Sequence, residues 1–142
     1  MRGNTVTLRV MLVVPEGQVW SGNADRVIAK TLDGDIGVLT GHTPVLGILT
    51  AGSVVRILPE GASGSGWIQA AVGGGFLSVA DDNVSILARE AALGADINMS
   101  AIRSELDEAG GEPDGGDEDE RAARAARVAY LTAQLRAAGE EG

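Results

Sequence analysis

The segment Phe76-Leu77-Ser78-Val79-Ala80-Asp81-Asp82-Asn83-Val84-Ser85-Ile86-Leu87-Ala88 reads as two short apolar runs of strand type on either side of a polar triplet. Asp and Asn form local turns readily, so the triplet bounds both strands. The same pattern extends outward from this segment. Thr5-Val6-Thr7-Leu8-Arg9-Val10 alternates strictly, residues 11–14 continue as a buried run, and Pro15-Glu16-Gly17 turns the chain. Further strand-type runs fall at 19–20, 24–30, 36–39, 45–49, 53–58 and 67–72. Ser21-Gly22-Asn23, Asp33-Gly34, Thr40-Gly41, Ala51-Gly52 and Gly73-Gly74-Gly75 supply turn chemistry between them, and residues 60–66 read as a flexible hairpin tip. No interval has the length and period of a crossover helix. The expectation is an antiparallel β-sandwich or barrel, with a parallel sheet disfavoured.

Past residue 91 the character of the chain changes. Six basic and eight acidic residues precede that point and five basic and twelve acidic follow it, so −2 and −7 make up the net charge of −9. The second part is rich in Ala, Glu and Arg and reads as two helices. Asn98 or Asp96 can cap the first, whose stripe is Met99, Ile102, Leu106 and Ala109. The loop at 110–117 contains four Gly and one Pro and ends it. Asp117 or a nearby acid restarts a helix to about Ala138, with Val128, Leu131, Leu135 and Ala138 as its stripe. Two domains are expected, a β-sandwich at 1–91 and a two-helix hairpin at 92–142. The stripes are narrow, so the hairpin needs a partner surface.

Composition excludes several functions. With no Cys among 142 residues, a disulfide scaffold, a thiolate centre and a Cys nucleophile are ruled out, and a single His argues against a His-based zinc site. The negative charge opposes binding to nucleic acid or to an anionic membrane surface. Residues 10–14 form the longest apolar run, far short of a membrane span, and the N-terminus lacks the pattern of a signal peptide. A soluble cytoplasmic chain is expected.

Five motifs carry a resemblance: Leu8-Arg9-Val10-Met11-Leu12-Val13-Val14-Pro15 with Val19-Trp20-Ser21-Gly22; Asp33-Gly34-Asp35-Ile36-Gly37-Val38-Leu39-Thr40-Gly41-His42-Thr43-Pro44-Val45-Leu46; Leu49-Thr50-Ala51-Gly52; Val72-Gly73-Gly74-Gly75-Phe76-Leu77-Ser78-Val79; and Asn83-Val84-Ser85-Ile86-Leu87-Ala88. In this order, collinear over about residues 5–91, they resemble the epsilon subunit family of the F-type ATP synthase, called delta in mitochondria. The resemblance implies a sandwich of about ten strands followed by two helices. It implies a non-catalytic rotor subunit of the central stalk, without a cofactor, bound to the gamma subunit and the membrane c-ring. The complex would hold it peripherally on the cytoplasmic face of the cell membrane. Its C-terminal helices would reach the catalytic beta (and alpha) subunits and inhibit ATP hydrolysis. A free-standing ligand-binding β domain with a helical tail is the alternative.

By the same resemblance, Asp33, Gly34 and Asp35 form a tip that meets the polar loops of the c-ring. Gly41, His42, Thr43 and Pro44 lie near the gamma and c-ring contacts. On the residues alone, the tip is a polar hairpin turn without calcium-loop spacing, and His42 is a structural or exposed His with no catalytic partner at motif spacing. Arg121, Arg124 and Arg127 flank the apolar stripe of the second helix. They read either as surface partners of Glu118 and Glu120 or, by resemblance, as a basic face for an acidic segment of a beta subunit. Some family members bind ATP through an Ile/Leu-Asp-Xaa-Xaa-Arg-Ala motif. Here Asn98 and Ala101 replace its Asp and Arg, so no nucleotide site is carried over. Residues 105–120 hold nine acids and no base, which should oppose closure of the hairpin.

Overall fold

A computed structural model describes residues 7–62, 66–110 and 116–139. The strands are β1 (Leu8–Val14), β2 (Gly17–Thr31), β3 (Gly34–Val38), β4 (Val45–Leu49), β5 (Ser53–Pro59), β6 (Ile68–Val72), β7 (Gly75–Ala80), β8 (Asn83–Ala88) and β9 (Ala91–Leu93). A single 3-10 turn, Gly94–Asp96, leads into α1 (Met99–Gly110) and α2 (Glu118–Ala137).

The strand β2 organises the sandwich. Its first half pairs with β1, and the ladder continues through β8 and β7 to β4. Its second half pairs with β3 and β5, and the ladder continues through β6 to β9. The register shifts between Ala24 and Arg26, where the strand passes from one layer to the other. Alternation then fills one core. Leu8, Val10 and Leu12 of β1, Val27 and Ala29 of β2, Val55 and Ile57 of β5, Leu77 and Val79 of β7, and Val84 and Ile86 of β8 are buried together.

Two expectations need correction. Ser21-Gly22-Asn23 is not a turn, because it pairs with Met11, Val10 and Arg9 and makes β2 one strand of 15 residues. Gly22 serves packing there, since a Cβ would lie 3.0 Å from the Trp20 ring. The strands therefore number nine among the described residues, with β2 serving both layers. Finally, β1 and β8 pair in parallel. Strands so far apart in sequence meet in one layer without a crossover helix between them. The sheet also continues through β9, across residue 91, and residues 63–65 and 111–115 of the two expected loops lie outside the described residues.

The helices follow their caps. Asn98 Oδ1 accepts from the Ala101 amide at 3.1 Å, and Asp117 Oδ1 accepts from the Glu120 amide at 2.9 Å. The Glu120 side chain in turn accepts from the Asp117 amide, which completes a capping box. Leu131 and Leu135 are buried as expected, while Val128 and Ala138 are half-buried. A second face of α2, Tyr130, Ala133 and Ala137, packs on Ala71 with Val54 and Ile97 alongside. The hairpin lies closed on the outer side of β5 and β6.

Candidate functional site

Two exposed loops carry the residues singled out above, and β3 holds them apart. At one end Thr31 Oγ1 donates to the Gly34 carbonyl (2.8 Å) and accepts from the Asp33 amide (3.1 Å). Gly34 has φ +114°, which an L side chain rarely adopts. Asp33, Gly34 and Asp35 project with Leu32, and Asp35 stands opposite Lys30 in the ladder. Four steps along β3 separate this tip by about 13 Å from the strand's far end, where the second loop begins. There the Gly41 amide donates to Asp82 Oδ1 at 2.7 Å, and the His42 amide donates to the Leu39 carbonyl. His42 Nδ1 lies 2.6 Å from the Thr43 carbonyl, which can only accept, so Nδ1 carries the proton. The fold thus places 33–35 and 41–44 at opposite ends of one strand. Among the described residues, no group of three His, Asp or Glu side chains is placed to hold a metal ion.

A third feature escaped the sequence reading. On the outer face of the β1-β8-β7-β4 layer, Ile48 pairs with Phe76, Phe76 with Leu87, and Leu87 with Val13. Ile48, Phe76 and Leu87 are each 51% exposed, and Leu46 and Met11 extend the patch. A side-by-side row of large apolar groups in water is unusual for an isolated domain. The signal was present: Ile48-Leu49, Phe76-Leu77 and Ile86-Leu87 are adjacent apolar pairs, and strict alternation forces one member of each outward.

The fourth feature is the hairpin. Arg124 and Arg127 line the groove between α1 and α2 together with Glu105 and Glu108. Arg127 does not pair with Glu118 or Glu120 on its own helix; it reaches Glu105 of α1 at 2.6 Å. Arg121 donates to the Gly116 carbonyl at 3.0 Å. The Arg127–Glu105 pair thus joins α2 to α1 across the groove and offsets part of the repulsion among the acids there.

A profile for the ATP synthase delta/epsilon chain β-sandwich domain matches residues 7–94. An ATP synthase epsilon chain from Thermobifida fusca is 49% identical over 135 residues, spanning 94% of this chain and 93% of that one. The chain belongs to the ATP synthase delta/epsilon family. Membership makes it an accessory subunit of the synthase and not a catalytic one. An epsilon chain from Frankia casuarinae is 52% identical over 86 residues, which is 61% of this chain but 96% of the Frankia one. Among solved structures, a chain in a cryo-EM structure of Euglena gracilis mitochondrial ATP synthase (OSCP/F1/c-ring) shares the fold. Its TM-score is 0.77 at 23% identity, covering 99% of this chain and 88% of that one. The family's β-sandwich domain is the architecture found here, and in this chain two helices follow it. No described helix is long and apolar enough to cross a membrane.

Proposed function

We propose that this chain is a rotor subunit of the central stalk, whose sandwich fastens the gamma subunit to the c-ring so that both turn as one body. The row Ile48, Phe76, Leu87 and Val13 carries this reading, because it is a rigid apolar face opposite the one that α2 covers. Gamma is its occupant. The Asp33-Gly34-Asp35 tip takes the polar loops of the c-ring, and the Gly41-His42-Thr43-Pro44 loop, at the other end of β3, lies toward gamma. Torque transfer between two partners needs a stiff body with separate contact areas, and a sandwich with one continuous core supplies it. The complex then holds the chain peripherally at the cytoplasmic face of the membrane. The hairpin adds a brake: released from β5 and β6, α2 extends toward the catalytic beta and alpha subunits and presents Arg121, Arg124 and Arg127. In that state ATP hydrolysis is inhibited.

Replacing Phe76 and Leu87 together by Asp tests the carrying observation. Both side chains are about half exposed and face each other across β7 and β8, so the paired carboxylates should cost about 1–3 kcal/mol of stability, and a cooperative melt checks that the sandwich persists. Synthase purified from membranes should lack the doubly substituted chain and show hydrolysis uncoupled from proton pumping. Retention of that chain at full stoichiometry sinks the proposed gamma face.

A further inference from the structure

We infer that Gly52 and Gly94 are the seats on which α2 rests, and that they set how readily the hairpin leaves the sandwich. Neither glycine has a left-handed φ, so the backbone conformation itself does not require them. Space does. A Cβ on Gly52, in the turn between β4 and β5, would lie 2.7 Å from the Ala129 carbonyl oxygen and 3.0 Å from the Ala129 Cβ, and its three nearest neighbours all belong to α2. A Cβ on Gly94, in the turn after β9, would overlap the Ala137 carbonyl oxygen. Ala129 and Ala137 are eight residues apart, about 12 Å along the helix, so the two seats bracket the docked segment.

What lies between them is small. The cluster on the sheet consists of Ala71, Tyr130, Ala133 and Ala137 with Val54 and Ile97 packed against it, while the buried Leu131 and Leu135 lie outside that cluster. The sandwich instead buries Leu8, Leu12, Ile57, Leu77 and Ile86 fully. Docking therefore depends on close approach of backbone to helix more than on large apolar burial. An added methyl at Gly52 meets α2 first, while at Gly94 it overlaps α2 and also comes within 3.3 Å of the Gln69 carbonyl of β6, so Gly52 is the cleaner of the two tests.

Amide hydrogen exchange on the full chain tests this in solution, without the synthase. Gly52→Ala and Gly94→Ala should each speed exchange across residues 129–137 by at least about tenfold. Amides of β1 and β8 should keep parental rates. Gly37→Ala is the control, since a Cβ there meets nothing within 4 Å, and it should change neither. Unchanged exchange in α2 overturns the inference. So does an equal acceleration in β1 and β8, which would assign the glycines to the sandwich itself. The consequence for hydrolysis rests on the proposed brake and fails separately. In membrane vesicles, Gly52→Ala should lower ATP hydrolysis, because more chains hold α2 released. Faster α2 exchange without lower hydrolysis upholds the seats and removes the brake.

Discussion

Asp81 and Asp82 have φ of 51° and 63°, and among the described residues they are the two non-glycine residues with positive φ. A two-residue hairpin turn between β7 and β8 demands that geometry, and Gly or Asn meets it at lower cost than Asp. The second Asp contributes contacts that offset this. Its carboxylate accepts from the Gly41 amide at 2.7 Å, and its carbonyl accepts from the Arg9 amide at 2.8 Å. One residue thereby ties the 41–44 loop to the β7–β8 turn and to the first strand. Asp82→Gly should keep the turn and the fold, yet loosen the loop and speed exchange of the Gly41 amide several-fold. Asp82→Asn retains both the acceptor and the tolerance of positive φ, so it should preserve protection. Equal exchange at Gly41 in parent and Asp82→Gly would show that the carboxylate holds nothing. His42 was legible in the sequence as a lone titratable group in a Gly-Xaa-Thr-Pro turn. Asp82 was not, since it acts on a residue 41 positions away and no local spacing announces such a contact.

At the scale of the element, α2 shows what a sequence reveals and what it withholds. Its start was readable because Asp117 and Glu120 form the cap locally, and its Leu131–Leu135 stripe followed from helical period. Its second buried face was not, because Ala133 and Ala137 look like exposed helix formers until a sheet surface meets them. Strand β2 failed for the converse reason: Ser21-Gly22-Asn23 has turn chemistry, but ladder partners on β1 overrule it. The chain's single Tyr sits on the hidden face of α2, where burial first and the Glu90 charge second push the Tyr130 hydroxyl up to about 12 from 10.0. The neutral phenol is the docked form. Its contribution is fully present below pH 10.0 and is lost as pH rises toward about 12, because the released helix ionises its Tyr first. Raising pH through that window should free α2, and Tyr130→Phe should remove this pH dependence. With one Tyr in the chain, phenolate absorbance reports the group directly, and in Gly52→Ala its midpoint should fall back toward 10.0. A midpoint of 10.0 in the parent with α2 amides still protected would contradict this account of the docked face.

For the whole molecule, the decisive contrast lies between its two outer faces. One carries large exposed side chains fixed in a rigid ladder, suited to a permanent partner, and the other carries a helix seated by small residues, suited to release. The closed hairpin also occupies Arg127, which pairs with Glu105 across α1 and α2. Both groups are about half exposed, so the pair is worth only about 0–1 kcal/mol and weakens in salt. A nearly balanced equilibrium responds to energies of that size. Removing the two sides of the pair should then move hydrolysis in opposite directions. On the proposed brake, Glu105→Gln frees Arg127 for a beta subunit while loosening the hairpin, so ATP hydrolysis in membrane vesicles should fall. Replacing Arg121, Arg124 and Arg127 by Ala preserves helix propensity but removes the basic face. Hydrolysis should therefore rise and lose part of its dependence on ionic strength, while ATP synthesis continues. A chain ending after Ile97 keeps β9 in the sheet and serves as the reference from which the brake is absent. If that truncation raises hydrolysis while the triple Arg variant does not, the helix brakes by bulk and not by charge. If Glu105→Gln and the triple variant shift hydrolysis in the same direction, Arg127 has no partner beyond α1, and the ion pair is a clasp of the hairpin alone.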